Sequence, residues 1–270
     1  MTFGITDDDI ERYAADGAIA VRGLVEPAWL DRLAAAIDDD IRDPGPFFHG
    51  YEADGGRFHG NLRLWETHPT FREFCLHSEL PMVARRFLRA DKVNLLYDQL
   101  FVKESNMAQR TRWHNDQPYW PIQGSQVLSI WVALDHTNAA NGRLEFIRGS
   151  HRWDRWFQPE TFGKTSDIAY ARNPDYEDIP DIEAARADYD IITFDLAPGD
   201  VYVFHAMTVH GAGGNCSAER ARRGYTVRYI GDDVTYDPRV GVSQPLLCDA
   251  LRPGGPMDCA QYPVVVPAGS

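Results

Sequence analysis

Two histidines and one aspartate have the residue types of a metal site with open coordination positions. His114 and Asp116 are separated by one residue, and in an extended segment such positions project from the same face. His210 ends an apolar strand and is followed by glycines, which let the backbone pass close to a site. Two neutral imidazoles and one carboxylate leave three facial positions of an octahedral iron(II) open for a chelating cosubstrate and dioxygen. These residues therefore predict oxidative chemistry at a non-haem iron centre.

The His-x-Asp pair is a weak signal when taken alone, because it occurs by chance in many proteins and most histidines are packed or on the surface. The other histidines are predicted not to bind the metal. His205 lies five positions before His210, on the opposite face of the same predicted strand, and His151 belongs to a turn pattern. The metal-site prediction therefore depends on the elements that would position the three candidate ligands.

Residues 1–92 carry mainly helical patterns. Thr6 can form a capping box with Asp9 at the start of a first helix, and Pro27 can open a second helix whose apolar residues recur at helical spacing. Two shorter helical segments are predicted, at residues 71–76 and 81–88. We expect these helices to brace the part of the fold that follows.

From Val93 onward, short runs of β-branched and aromatic residues are separated by turn-forming residues. The predicted strands are 93–96, 100–103, 127–134, 144–147, 191–196, 201–204 and 225–230. Many short strands with this spacing are typical of an antiparallel sandwich or barrel. We therefore predict a mainly β fold with N-terminal helices.

A single domain is predicted for residues 1–270, because this length is within the range of one barrel or sandwich. The helical region 1–92 precedes a β core at residues 93–236. A polar insertion at about 153–190 interrupts that core, and an insertion of such length is typical of a functional lid. Residues 237–270 are rich in proline and glycine and are expected to wrap the surface as a C-terminal tail.

The composition argues against several classes of partner and location. A net charge of -13 disfavours nucleic acid and anionic membranes as main partners. The acidic N-terminus lacks a signal-peptide pattern, and no apolar run is long enough to span a bilayer, so we expect a soluble cytoplasmic protein. The four cysteines form no CxxC pair, which predicts free thiols. No pattern indicates an oligomeric state.

Five motifs in a fixed order make the His-x-Asp pair far more specific. With these motifs, the chain resembles the phytanoyl-CoA dioxygenase family of iron(II)- and 2-oxoglutarate-dependent oxygenases, from the N-terminal helices to about Pro238. The matching segments are Tyr97–Glu104, Trp113–Trp120, Trp131–Asp135, Asn141–His151 and Pro198–Asn215.

The resemblance implies a double-stranded β-helix, the jelly roll of cupin-like proteins, with Fe(II) held at one mouth by His114, Asp116 and His210. It also implies 2-oxoglutarate and O2 as cosubstrates. In the family, an arginine after the second ligand histidine pairs with the far carboxylate of 2-oxoglutarate. Arg222 is the preferred candidate here, because a planar guanidinium can meet a carboxylate with two hydrogen bonds, and Arg223 is the alternative.

The same resemblance gives other residues roles around the cosubstrate. Gln99 and Trp131 are expected to line its pocket, although Trp131 could equally be a core side chain. Asn115, between two of the ligands, is expected to touch the keto-acid end. Arg228 is expected deeper in the barrel or at its other end. Ala212 stands where the family often has a hydroxyl, so one cosubstrate hydrogen bond is expected to be missing or replaced.

The reaction implied by the resemblance is hydroxylation of a small molecule, in secondary metabolism or catabolism, with release of succinate and CO2. Related halogenases have a small residue in place of the metal-binding carboxylate, so Asp116 disfavours halogenation. Tyr119, Trp120 and Trp153 are expected to contact the substrate, or else to pack the lid. The alternative function is that of a metal-dependent, cupin-like isomerase or lyase that does not use 2-oxoglutarate.

Two further groups of residues could extend the substrate site. The aromatic, glycine-rich loop at residues 44–60 could supply walls for a substrate with apolar surface. Arg148, Arg152 and Arg155 could bind an anionic group such as the phosphates of a CoA thioester. The overall acidity of the chain makes a CoA ester the less favoured substrate.

Overall fold

The computed structural model describes residues 4–53, 56–161 and 170–269 of the chain. Part of the predicted lid insertion, residues 162–169, lies outside the described residues. Within the described ranges the chain forms four α-helices and fourteen β-strands. None of these helices combines the length and the apolar character that crossing a membrane requires.

Local sequence signals set the ends of the helices. Thr6 and Asp9 form the predicted capping box: the Thr6 hydroxyl accepts from the Asp9 N–H, and the Asp9 carboxylate accepts from the Thr6 N–H. Gly17 then ends this helix in the left-handed conformation, with a φ of 83°. The helices are α1 (Asp7–Asp16), α2 (Pro27–Arg42), α3 (Pro69–His77) and α4 (Leu80–Leu88).

Most of the strands belong to two antiparallel sheets. The strands are β1 (Ala18–Val21), β2 (Phe48–Ala53), β3 (Gly56–Leu62), β4 (Val93–Lys103), β5 (Thr111–His114), β6 (Ile122–Gln123), β7 (Val127–Ala133), β8 (Leu144–Ile147), β9 (Ile191–Thr193), β10 (Val201–His205), β11 (His210–Ala212), β12 (Arg222–Ile230), β13 (Thr235–Tyr236) and β14 (Val264–Val266). The larger sheet has the order β1-β10-β7-β12-β4-β3-β2, with β14 also paired to β4. The smaller sheet has the order β5-β11-β8-β9, and β6 pairs with β13 separately.

The two sheets pack against each other through aromatic side chains. Phe146 on β8 contacts Tyr202 and Phe204 on β10, with ring centroids 5.4 and 5.3 Å apart. Aromatic pairs at such separations add to the stability that comes from burial alone. The predicted mainly β jelly roll with N-terminal helices is confirmed.

Strands β4 and β12 lie side by side at the centre of the larger sheet, and their residues alternate between its two faces. One face looks toward the smaller sheet and lines a cavity; its cavity-lining residues are Tyr97, Gln99, Phe101, Lys103, Arg222, Thr226 and Arg228. The other face joins the main hydrophobic core with the helices, through Leu100, Val102, Tyr225 and Val227.

The helices cover this outer face of the larger sheet. Phe71 and Phe74 of α3 contact Tyr225, with ring centroids 4.9 and 6.0 Å apart. The Tyr225 hydroxyl and the Trp65 N–H both donate to the carboxylate of Asp98. Asp98 is fully buried, and this burial raises its pKa to about 7.

The N-terminal region also contains strands that the sequence patterns do not indicate. Strand β1 forms an edge of the larger sheet, and the hairpin β2–β3 occupies most of the segment 44–60 that is predicted as a loop. The hairpin is rich in glycine, which has a low strand propensity. A Cβ at Gly60 would lie 2.5 Å from His49 Nε2, so glycine here leaves room for the rings of the hairpin.

Several residues of the C-terminal segment 237–269 are buried in the core, which corrects the expectation of a surface tail. Strand β14 pairs with the beginning of β4. Leu246 and Tyr262 are buried in one apolar cluster with Trp120. The apolar residues of this segment have no regular spacing, so periodicity could not reveal their burial.

Gly224 provides a test of the packing inside the larger sheet. A Cβ at this position would lie 1.9 Å from Cζ2 of Trp131. We expect Gly224→Ala to displace the indole and to lower the free energy of unfolding by about 1–3 kcal/mol, measured by urea denaturation. Gly213→Ala is the control, because a Cβ there would meet nothing closer than 3.6 Å. Equal stability of the two variants would contradict the close packing.

The stability of the fold is expected to depend on the ionisation of Asp98. Its folded-state pKa of about 7 is above its unfolded value, so between these two values the folded protein holds a proton that the unfolded chain has released. This stabilisation is complete below about pH 4 and is lost as the pH rises through the folded-state pKa. Urea unfolding measures this effect at about pH 5 and about pH 8. Between these two pH values, the free energy of unfolding should fall less in Asp98→Asn than in the wild type. An equal loss would assign the pH dependence to other groups.

Candidate active site

The two histidines of the predicted metal site lie on neighbouring strands of the smaller sheet. His114 is the last residue of β5 and His210 the first of β11, and the antiparallel register pairs them directly. Asp116 lies two residues after the end of β5, as the N-cap of a short 3₁₀ helix, and its N–H donates to the carbonyl oxygen of Ala206 at 2.8 Å. The three side chains therefore converge between the two sheets.

The distances between the three side chains fit a shared metal ion. Oδ1 of Asp116 lies 3.4 Å from Nε2 of His114 and 3.9 Å from Nε2 of His210. One potential ligand atom from each residue lies within 4.8 Å of those of the other two. A carboxylate oxygen and two imidazole nitrogens are a donor set that suits iron(II).

Hydrogen bonds to the backbone orient both imidazoles. Nδ1 of His114 lies 2.8 Å from the carbonyl oxygen of Arg112, and Nδ1 of His210 lies 3.0 Å from that of Thr208. A carbonyl can only accept, so each Nδ1 donates to the backbone, and this bond turns each Nε2 toward Asp116. The site is thus arranged for metal binding through Nε2.

The structure differs from two local interpretations of the sequence. Asp116 has helical backbone angles, with φ -78° and ψ -41°, so a turn and not strand alternation brings it beside His114. His210 begins a strand of the smaller sheet, whereas His205 ends β10 in the larger sheet. His205 lies near His151, with ring centroids 5.3 Å apart, outside the group of three side chains.

Burial and neighbouring charges act on the ionisation of the site. Burial lowers the pKa of His210 to about 4, and the nearby His114 adds to this effect. Burial alone would raise the pKa of Asp116, but His210, His114 and Arg228 together hold it below its ordinary value. At neutral pH the site therefore offers a neutral imidazole at His210 and a charged carboxylate.

A cavity of about 490 Å³ opens beside these three side chains. Five of the residues predicted to contact cosubstrate or substrate line it: Gln99, Tyr119, Trp120, Trp131 and Arg222. The predicted aromatic loop contributes Phe47, Phe48 and Tyr51. The volume is in the range of sites that bind a small organic molecule.

The two candidate arginines face opposite sides of the larger sheet. Arg223 points outward, where its Nε and NH2 pair with the carboxylate of Asp135 at 3.0 and 2.8 Å. Arg222 points inward, is only 2% exposed and lines the cavity. The register of β12 therefore makes Arg222 the one that a ligand in the cavity can reach.

Arg222 is a buried cation that has no carboxylate partner among the described residues. Its Nε makes no hydrogen bond there, and its guanidinium lies 5.4 Å from the ring centroid of Trp131. Burial lowers its pKa to about 10. A buried, unpaired guanidinium is costly, and a ligand carboxylate would remove that cost. This environment fits the far carboxylate of 2-oxoglutarate.

Two hydroxyl groups can replace the one that is lacking at Ala212. Thr111 is paired with Ala212 across β5 and β11 and lines the cavity. Thr226 also lines it, on the same strand as Arg222, and its buried Oγ1 has no hydrogen-bond partner among the described residues. Thr226 Oγ1 is therefore free to donate to an oxygen of a ligand.

Two predicted site residues lie away from the cavity. The side chain of Asn115 points to the opposite side from its two neighbours, and its amide donates to the carbonyl oxygen of Arg155 at 2.9 Å. Trp153 packs near Tyr189, with ring centroids 6.3 Å apart, in a separate apolar cluster. The described part of the insertion reaches the cavity through Thr161 and Tyr170.

The cavity residues that were not predicted as site residues include two cations, Arg228 and Lys103, and the aromatic residue Tyr170. Arg228 lies beside Asp116, with Nε 3.8 Å from Oδ2, and not at a remote end of the barrel. Lys103 on β4 lies opposite Arg222 on β12 in the strand register. Its buried Nζ donates to the carbonyl oxygen of Gly213 at 2.7 Å. Tyr170 lies in a polar stretch without periodicity. The alternation of β4 and β12 is the signal that could have identified the two cations.

Comparisons with known proteins agree with this geometry. The model of the phytanoyl-CoA dioxygenase family matches residues 13–224. The multifunctional dioxygenase ausE of Aspergillus calidoustus is 25% identical over 229 residues, which are 80% of this chain and 70% of that protein. The dioxygenase lolE1 of Epichloe uncinata is 25% identical over 224 residues, 80% of each chain.

The fold also matches solved structures. The non-haem, α-ketoglutarate-dependent carbocyclase SnoK from nogalamycin biosynthesis superposes with a TM-score of 0.77 and 22% identity, over 96% of each chain. The predicted family, enzyme class and cofactor set are confirmed. With a family match that spans most of its length, the chain belongs to the phytanoyl-CoA dioxygenase family of iron(II)- and 2-oxoglutarate-dependent oxygenases.

Proposed function

We propose that this protein hydroxylates a small organic molecule and that His114, Asp116 and His210 hold its iron(II). The observation that carries the proposal is the convergence of these three side chains beside a cavity whose wall contains the unpaired, buried Arg222. When bound, iron(II) supplies the activation of dioxygen that is coupled to conversion of 2-oxoglutarate into succinate and CO2.

Residues of the larger sheet bind the cosubstrate in this proposal. Arg222 pairs with the far carboxylate of 2-oxoglutarate, and the neighbouring Trp131 holds the guanidinium in place through its ring. The Thr226 hydroxyl and the Gln99 amide face the same cavity and can donate to cosubstrate oxygens. An isomerase or lyase that does not use 2-oxoglutarate would have no need of this buried cation, so the oxygenase is favoured.

Residues around the metal site exclude water and orient the substrate. The Tyr119 hydroxyl donates to the carbonyl oxygen of Glu160 at 3.0 Å and accepts from the Glu160 N–H at 2.9 Å. These bonds connect the cavity wall to the insertion. Tyr170 packs edge-on against Tyr119, with ring centroids 5.2 Å apart. Such walls act by positioning a substrate C–H bond, which is the main contribution of the protein in reactions of this type.

The walls of the cavity favour a substrate with apolar or aromatic surface over a CoA ester. Aromatic rings form much of the lining, including Phe48, Phe58, Phe101, Tyr119 and Trp120. The three arginines that could bind the phosphates of CoA already have partners, and Arg152 donates to the carbonyl oxygens of Ala14 and Ala15. Arg148 pairs with Asp16 and Asp190 at 2.5 and 2.8 Å, and Arg155 pairs with Glu177.

Metal binding is expected to depend on the two histidines of the site. His114→Ala and His210→Ala should each weaken binding of Mn(II), used as a redox-stable substitute for iron(II), by more than about 100-fold. Isothermal titration calorimetry measures this change. His205→Ala is the control, because the ring of this partly buried histidine bonds to the carbonyl oxygen of Ser125 and lies outside the site. Unchanged Mn(II) affinity in the first two variants would show that His114 and His210 are not the metal ligands.

Binding of 2-oxoglutarate is expected to distinguish the two neighbouring arginines. Arg222→Gln should raise the Kd for 2-oxoglutarate in the metal-loaded protein about tenfold to a hundredfold, the usual effect of losing a hydrogen-bonded charge pair. Arg223→Gln should leave it unchanged, because Arg223 pairs with Asp135 on the outer face. Succinate formation, measured beside 2-oxoglutarate consumption, should follow the same order. A wild type that neither binds nor consumes 2-oxoglutarate would favour the isomerase or lyase.

A further inference from the structure

Arg228 is a second buried cation on the inner face of β12, six positions after Arg222. Its neighbours across the sheet are Tyr97 on β4 and Ser129 on β7. The side chain is only 4% exposed, yet it lines the cavity. Arg228 therefore presents a full charge to the space beside the metal site.

The guanidinium of Arg228 packs against aromatic rings, and two of its nitrogens have no hydrogen-bond acceptor among the described residues. The central carbon of the guanidinium, Cζ, lies 4.4 Å from the ring centroid of Tyr97 and 5.3 Å from that of Trp120. Its Nε and NH1 make no hydrogen bond with any described residue. The nearest carboxylate oxygen is Oδ2 of Asp116, at 3.8 Å from Nε, which is too long for a hydrogen bond.

Asp116 offsets the charge of Arg228 only incompletely. Oδ1 of the aspartate faces the two histidines, and the Ser129 hydroxyl donates to Oδ2 at 3.4 Å. A divalent metal held by Asp116 and the two histidines would draw on the negative charge of this carboxylate and leave less of it for Arg228. The buried guanidinium would then still have N–H groups without hydrogen-bond acceptors. Leaving such groups unpaired is costly, and binding of an anionic ligand would remove that cost.

The cavity as a whole has the charge of an anion-binding site. Among the described residues, its lining includes Lys103, Arg222 and Arg228 and a single carboxylate, that of Asp116, in a chain whose net charge is -13. Burial and the adjacent Arg222 hold the pKa of Lys103 well below its usual range, so the two arginines are the dependable cations. The far carboxylate of 2-oxoglutarate uses Arg222 in the proposed function, which leaves Arg228 for another anion.

The surroundings of Arg228 indicate the substrate as that anion. Trp120, which packs against the guanidinium, belongs to an apolar cluster with Leu246, and Leu246 also lines the cavity. Tyr119 and Tyr170 line the same cavity, and in the proposed function they contact the substrate. An acid group held on NH1 would place the apolar part of its molecule against these rings.

We propose that Arg228 binds an oxygen anion of the substrate, so that the enzyme acts on small apolar molecules that carry a carboxylate. This proposal rests on the proposed function of the site and specifies its substrate class. Arg228 forms hydrogen bonds to the carboxylate and orients a neighbouring C–H bond toward the metal. A neutral analogue of the same shape leaves the guanidinium unpaired and binds more weakly.

The test compares acids with amides of the same shape. The probes are benzoate and benzamide, 2-naphthoate and 2-naphthamide, and octanoate and octanamide. Each is titrated calorimetrically into protein loaded with Zn(II), which prevents turnover, and saturated with 2-oxoglutarate, which covers Arg222. We expect at least one acid to bind the wild type about tenfold or more tightly than its amide. Arg228→Gln should abolish that preference, and Arg228→Lys should retain part of it.

The controls separate this role from general charge and from cosubstrate binding. Arg223→Gln removes the same charge from the outer face and should keep the wild-type preference. A thermal unfolding curve shows that each Arg228 variant is folded. The proposal is overturned if no acid binds the wild type better than its amide, or if the preference survives in Arg228→Gln.

The same measurements distinguish failure of this inference from failure of the proposed function. If Arg228→Gln weakens 2-oxoglutarate as strongly as Arg222→Gln does, Arg228 holds the cosubstrate and the substrate role is wrong. If the wild type does not bind 2-oxoglutarate at all, the proposed function fails. In that case the acids, titrated into the Zn(II) protein alone, still report whether Arg228 selects a carboxylate.

Discussion

The register of β12 between β4 and β7 is the constraint on which the rest of the site depends. Because successive residues of a strand face opposite sides, a slip by one position would exchange Arg222 for Arg223 and would put Tyr225 into the cavity. The outer face resists that slip, since Tyr225 is fixed there by α3 and by the buried carboxylate of Asp98. The hydrophobic core thus determines which arginine reaches a ligand.

The proposed metal site connects the two sheets through a single carboxylate, that of Asp116. Oδ1 of Asp116 faces two histidines that project from the smaller sheet, whereas Oδ2 faces Ser129 and Arg228 from the larger one. Each oxygen therefore depends on a different layer of the fold. Small changes in the packing between the sheets would alter the position of the carboxylate, so the aromatic contacts of Phe146 between the sheets also serve the site.

Local sequence signals predicted much of the fold but not the elements that lack them. The capping box at Thr6, Pro27 at the start of α2 and the strands rich in β-branched residues were recognisable. The hairpin β2–β3 and the segment after β13 were not, because glycine and irregular spacing carry no periodicity. At the site, ordered motifs indicated the three candidate ligands and Arg222. The role of Arg228 depends on a neighbouring turn that brings Asp116 to it, and no pattern within one segment encodes that contact.

The lining of the cavity extends beyond the part of the chain that the family model matches. The family match ends at residue 224, within β12, after the candidate metal ligands and Arg222. Arg228 and the cavity residues Ser243, Pro245 and Leu246 all follow that point. The residues that the family model matches therefore include the proposed metal ligands and Arg222, whereas Thr226, Arg228 and part of the cavity wall follow the match. Substitutions in this last part of the chain can reshape the cavity without changing any of the three proposed metal ligands.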